Sequence, residues 1–241
     1  VPGALSLVIS CEHGGRDVPP DYAALFAGQA PLLDSHRGWD PGALVLGQQM
    51  AQALRAPLFA ATTTRLLIDL NRSIGHRQLY SEVTRGLPRA QREQIVRLHY
   101  RPHRDAVEGE VARCIAAGHT VAHIASHSFT PVLHDEVRRA DVACLYDPRR
   151  PREVALSRHW LQALAQRLPG LQLRCNYPYQ GRGDGLTALL RKRFSAEAYV
   201  GIELEVNQRW VTQGGAPWLD LCAQVVASLA AALATETTSE G

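Results

Sequence analysis

Ala4-Leu5-Ser6-Leu7-Val8-Ile9-Ser10-Cys11-Glu12-His13-Gly14-Gly15 is an apolar run that ends in an imidazole and two glycines. A run of this length and make-up reads as a buried strand that delivers His13 to its C-terminal edge, where the glycines leave space for a ligand. Open parallel sheets bind ligands at that edge. Taken alone, a His after a strand is more often a hydrogen-bonded loop residue than a metal ligand, but a second run has the same ending. Thr120-Val121-Ala122-His123-Ile124-Ala125-Ser126-His127-Ser128 reaches His127 before the turn-like Phe129-Thr130-Pro131. The two imidazoles can converge if the two strands are neighbours.

Outward from these runs, strands alternate with helices. Asp40-Pro41 reads as an N-cap with proline at the first helical position, ahead of a helical pattern through Leu46, Met50, Ala53 and Leu54. Pro57-Leu58-Phe59-Ala60 and Thr63 to Leu70 are strand candidates, the second placing Arg65, Leu67 and Asp69 on one face. A long helical pattern from Arg89 to Gly118 should kink or split at Pro102. Ala140 to Tyr146, Leu171 to Cys175 and Tyr199 to Val206 read as strands, and Glu153 to Arg167, Thr187 to Phe194 and Leu219 to Leu233 as helices. The alternation predicts a three-layer α/β fold, a mostly parallel mixed central sheet with helices on both faces, over a single domain at 1–234 with a frayed tail at 235–241. No internal repeat is present, and the Gly-rich stretch at 181–185 is too irregular for a dinucleotide fingerprint.

Composition narrows the classes. At 241 residues the chain can bury a full core, and 46% hydrophobic with 20% charged residues is too well mixed for disorder. No apolar run is read as membrane-spanning and no signal-peptide pattern appears, so a cytoplasmic protein without a membrane partner is expected. The net charge of +3 rests largely on Arg, which suits fork-like recognition of small carboxylates or phosphates. Without Lys/Arg runs interleaved with aromatics, nucleic acid is not an expected partner. Five scattered cysteines without C-x-x-C spacing favour reduced thiols, with Cys11 a small core hydrophobe rather than a nucleophile.

A catalytic zinc needs about three protein ligands and one open position. His13 and His127 supply two, and the third is sought among Asp34, His36 and Asp40. Asp40 leads because it begins a helix, with plain helix capping as the rival account. In Gly201-Ile202-Glu203-Leu204-Glu205-Val206-Asn207-Gln208 the two glutamates share one strand face, opposite Ile202, Leu204 and Val206. Carboxylates buried there are costly unless paired or used, so one can serve as proton shuttle, a structural salt bridge being the alternative. Arg65 can stabilise an oxyanion and Asn71-Arg72 can grip a substrate carboxylate, with Asp69 orienting an arginine.

Together, Cys-Glu-His-Gly-Gly at 11–15, His-Arg-Gly-Trp-Asp-Pro-Gly-Ala at 36–43, Thr-Arg-Leu-Leu-Ile-Asp-Leu-Asn-Arg-Ser at 64–73, Ser-His-Ser-Phe-Thr-Pro at 126–131 and Gly-Ile-Glu-Leu-Glu-Val-Asn-Gln at 201–208 resemble the N-formylglutamate amidohydrolase family, in order and over most of the chain. That family is related to zinc carboxypeptidases and aspartoacylases, so the resemblance implies a zinc-peptidase-like (phosphorylase/hydrolase-like) fold. It implies His13 and His127 as metal ligands and Arg65 with Asn71-Arg72 as the carboxylate-binding motif. It also implies Glu205 as the catalytic glutamate, with Glu203 in reserve. Carboxypeptidases carry a glutamate three residues after the first His, where this chain has Arg16. Zinc-dependent cell-wall amidases, a looser likeness, take their carboxylate ligand from the start of a following helix. Asn176, Tyr179, Arg182 and Thr187 lie in a stretch the family uses near substrate, and His103 follows a similar Tyr-x-Pro-x pattern.

The expectation is a zinc-dependent hydrolase of a linear amide on an N-formyl or N-acyl acidic amino acid, a small molecule carrying a carboxylate. The rivals are a zinc amidase or carboxypeptidase acting on a peptide or cell-wall fragment, and a non-catalytic anion-binding protein of the same fold.

Overall fold

The computed structural model of the chain describes residues 4–238. In chain order the elements are β1 (Leu5–Cys11), a 3-10 turn (Pro20–Phe26), α1 (Ala30–Asp34), α2 (Ala43–Leu54), β2 (Leu58–Ala60), α3 (Arg89–Ile95), a π-helical turn (Val96–Tyr100) and α4 (Arg101–Ala116). They continue with β3 (Thr120–Phe129), a small hairpin of β4 (Val132–Leu133) and β5 (Glu136–Val137), β6 (Val142–Leu145), α5 (Pro151–Arg167) and β7 (Leu173–Cys175). The chain then runs through α6 (Leu186–Arg193), β8 (Tyr199–Asn207), α7 (Gln208–Gln213) and α8 (Gly215–Thr238).

Six strands form one sheet in the order β2-β1-β3-β8-β6-β7. All neighbours are parallel except β8 and β6, so the sheet is mixed and mostly parallel, as expected. The two His-bearing strands are adjacent, with Leu5 opposite Thr120 and Ser10 opposite Ala125. On the other side of β3, His127 pairs with Glu205 and Phe129 with Asn207. β1, β3 and β8 therefore bring their C-terminal ends to one edge, as three adjacent parallel strands must.

Period-2 alternation assigns the two faces. Ile9, Ala122, Ile124, Ile202, Leu204 and Val206 pack against α2, α5 and α8, where Trp160 is fully buried. Val8, Val121 and Tyr199 pack on the other face against α4 and α6 through Val107, Val111, Leu186 and Leu190. A third cluster lies beyond the β2 edge, where Leu66, Leu67, Ile68 and Leu70 meet Tyr22, Phe26, Leu79, Ile95 and Tyr100.

Two expectations are corrected and one is met. Residues 63–70 are not a strand, because β2 already occupies the β1 edge and the apolar side chains sink into the third cluster instead. The segment is held as turns by Thr64, whose hydroxyl donates to Gly38 O at 2.9 Å. The 89–118 pattern splits near Pro102 as expected, at a π turn in which Arg101 N–H reaches Val96 O and which accommodates a residue that has no N–H to donate. One apolar run also reaches membrane-spanning length. Gly215–Thr235 of α8 passes by length and composition, yet Leu221, Val225 and Leu229 are buried and Trp160 Nε1 donates to Val225 O at 3.1 Å, so its apolar face is core. The helix is described as far as Thr238, inside the segment expected to fray, and 239–241 lie outside the described residues.

Candidate active site

His13 sits just past β1 and His127 near the end of β3, their ring centroids 5.1 Å apart. Asp40 lies between them. Its Oδ2 is 3.2 Å from His13 Nδ1 and 2.9 Å from His127 Nδ1. All three residues are buried, and one donor atom from each falls within 4.8 Å of the others. Asp40 does not cap α2 with its side chain: that helix starts after Gly42, and the Asp40 carbonyl accepts from Ala43 N at 3.1 Å, which leaves the carboxylate free to face the histidines. Asp34 is instead exposed and paired with Arg16, and His36 is exposed at the mouth of the cleft.

The chemistry of the donors fits a divalent ion. Two imidazole nitrogens and one carboxylate oxygen suit zinc, and each ring has its far nitrogen against a second carboxylate, which fixes the ring and leaves Nδ1 toward Asp40. His13 Nε2 is 2.8 Å from Asp69 Oδ1, and His127 Nε2 is 3.0 Å from Glu12 Oε2. Burial alone would raise the carboxyls of Asp40 and Asp69, but the neighbouring hydrogen-bond donors hold both below the usual carboxylate range. For Asp40 these are His13, His127 and Arg65, and for Asp69 chiefly Arg65 and His13.

Arg65 joins both carboxylates, donating from Nη1 to Asp40 Oδ1 at 3.2 Å and from Nη2 to Asp69 Oδ2 at 2.7 Å. Its partnership with Asp69 is possible only because the segment turns. On a strand, residues four apart lie about 13 Å from each other.

Glu203 and Glu205 both line the cleft, but differently. Thr187 donates to Glu203 Oε1 at 2.7 Å, tying that carboxylate to the first turn of α6. Glu205 is 5% exposed, its Oε2 has no hydrogen-bond partner, and burial, aided by Asp40 and Glu203, pushes its carboxyl up to about 8.

The cleft has a volume of about 790 Å³ and is lined by Asn71, Arg72, Tyr179 and several further basic side chains. Asn71 Oδ1 accepts from Leu186 N at 2.8 Å, leaving its amide N–H groups unassigned. Arg72 Nη1 donates to the carbonyls of Asn71 and Asp184 at 2.9 and 3.0 Å. Tyr179 accepts from Arg138 at 3.1 Å. Two expected site residues are elsewhere. Arg182 is exposed and outside the cleft lining, and Asn176 closes its own loop by accepting from Tyr146 N and Gly181 N at 3.1 and 3.0 Å.

The sequence reading missed Glu12, and missed that Asp69 braces His13 as well as Arg65. For Glu12 a signal existed: it continues the alternation of Val8 and Ser10 and therefore faces the α4 layer as an acid inside an apolar run.

The sequence pattern described as N-formylglutamate amidohydrolase matches residues 5–211. Among solved structures, gene product Atu2144 from Agrobacterium tumefaciens is 26% identical with a TM-score of 0.82, over 96% of this chain and 92% of that one. The N-formylglutamate amidohydrolase from Ralstonia eutropha JMP134 is 17% identical with a TM-score of 0.65, over 94% of this chain and 92% of that one, and shares the fold. No curated protein matches the chain. With some six-sevenths of its length inside that pattern, the chain belongs to the N-formylglutamate amidohydrolase family and is an amidohydrolase.

Proposed function

We propose that the protein is a zinc-dependent amidohydrolase that cleaves the formyl or acyl amide of an acidic amino acid such as N-formylglutamate. The observation that carries the reading is the buried His13, Asp40 and His127 cluster lining a cleft rich in arginine. A divalent ion held by these three residues supplies Lewis acidity toward an amide carbonyl and lowers the pKa of water.

The chain's own groups do the rest. Glu205, whose raised carboxyl a divalent cation held beside it would bring back to the carboxylate form, takes the proton of the attacking water and hands it to the leaving amine. Glu203, held by Thr187, keeps the α6 end of the site in place. Arg65 spends two of its five N–H donors on Asp40 and Asp69, leaving others for the developing oxyanion. The Asn71 amide and the Arg72 fork receive the substrate carboxylate, one neutral and one charged donor on the same wall. Tyr179 at the rim completes the wall.

The test is a hydrolysis screen of N-formyl and N-acetyl amino acids with and without chelator. Turnover of the acidic members, lost on chelation and restored by zinc, is the expected result. Chelator-insensitive turnover, or none on any of these substrates, rejects the reading.

A further inference from the structure

We propose that Glu12 and His103 form a positioning pair that holds the His127 ring with Nδ1 toward Asp40 and so sets how tightly the site binds its ion; this rests on the reading of His13, Asp40 and His127 as ligands. Glu12 is fully buried, in a place where a carboxylate persists only if it is partnered. Its two oxygens face two imidazoles: Oε1 is hydrogen-bonded with His103 Nε2 at 3.3 Å, and Oε2 lies within ion-pair distance of His127 Nε2, 3.0 Å away, without hydrogen-bond alignment. Because Asp40 is on the opposite nitrogen of His127, Glu12 stands outside the donor set and acts through the ring.

His103 arrives from α4, the layer on which Val8, Ser10 and Glu12 face. The same stretch of helix reaches the other half of the site. Tyr100 Oη donates to Arg72 O and Arg104 Nη1 to Leu70 O, each at 2.8 Å. Tyr100, His103 and Arg104 are spaced i, i+3 and i+4, one helical face, and the π turn that ends at Tyr100 sets where that face points. One helix start therefore supports the loop that carries Asp69 and the carboxylate behind His127.

The two rings are braced by separate carboxylates with different backing. Asp69, behind His13, is tied to Arg65 in the cleft, whereas Glu12, behind His127, is tied to His103 in the interior. A carboxylate on the far nitrogen keeps the proton there and leaves the lone pair on the near one. Loss of such a partner costs roughly 10–100-fold in metal affinity.

The full-length protein, stripped of metal, is titrated with Zn²⁺ against a chromophoric chelator and with Co²⁺ by visible absorption. The set is wild type, Glu12→Gln, Glu12→Asp and His103→Gln. Wild type binds one ion. Glu12→Gln, equal in size but uncharged, weakens binding by about 10–100-fold and shifts the Co²⁺ bands, Glu12→Asp recovers part of the loss, and His103→Gln shows a smaller loss. Wild-type affinity and spectrum in a folded Glu12→Gln overturn the positioning role while leaving the metal reading intact. If Glu12→Gln does not fold, unchanged binding in His103→Gln overturns it. A wild type that binds no ion overturns the metal reading itself, and this inference with it.

Discussion

Glu205 and Glu203 are two residues apart on one strand face, and their surroundings separate them. A hydroxyl and a helix start hold Glu203, while Glu205 keeps an unpartnered oxygen at the cleft. Glu205→Gln preserves the shape and removes the proton acceptor, so kcat should fall by about 10²–10⁴-fold while metal content stays at the wild-type level. Retained turnover with metal still bound would transfer the role to another group. The candidate groups themselves were legible: two histidines at strand ends, the acidic strand and the Asp-Leu-Asn-Arg stretch. Their partners were not, because Glu12–His127 and His13–Asp69 are contacts between segments remote in sequence, and composition carries no trace of which far nitrogen meets which carboxylate. Among Asp34, His36 and Asp40 the helix start already put Asp40 first as third ligand, and exposure now separates it from the other two.

The start of α2 shows how an element sets the site. Asp40-Pro41 has the make-up of a cap, yet Gly42 is the residue at the helix boundary, with φ at 82°, and this extra turn lets the Asp40 carboxylate face inward. A Cβ at Gly42 would lie 2.5 Å from Val211 Cγ2 and 3.1 Å from the Trp218 ring. Gly42→Ala thus combines a left-handed backbone with overpacking against α7 and α8, and should cost about 1–3 kcal/mol. Denaturant unfolding of the apo protein measures it, and a midpoint equal to wild type would mean the turn relaxes without strain. Periodicity located the six strands of the sheet and the longer helices because their faces are buried on one or two sides, and it missed α1, α7 and the β4–β5 hairpin, which are too short to show a period. It failed at 63–70, where the apolar residues fill a separate small core beside the sheet edge and alternation no longer reports pairing.

Across the whole molecule, the parallel run β1-β3-β8 both builds the site edge and buries a second histidine deeper in the same strand as His127. His123 is fully buried, with Nε2 2.8 Å from Ser10 Oγ and Nδ1 2.7 Å from Tyr199 Oη, joining all three strands by one ring. Burial, opposed by Glu12 and aided by Arg191, lowers its pKa to about 4. Its folded pKa lies below the unfolded value of about 6.5, so between roughly pH 6.5 and 4 the unfolded chain binds a proton that the native state does not. Stability therefore rises with pH through that window and is lost as pH falls through it, by up to about 3 kcal/mol for this one group. Lowered values at His36 and His99 act in the same direction, the raised value at Glu205 acts against them inside the window and the raised value at His127 mainly above it, so the comparison has to be made between variants. His123→Gln retains a donor and an acceptor without titrating. It should be less stable than wild type at pH 7 and lose less on acidification, so that the two curves of unfolding free energy against pH converge toward pH 4. Parallel curves would show that the proton on His123 carries no part of the acid sensitivity.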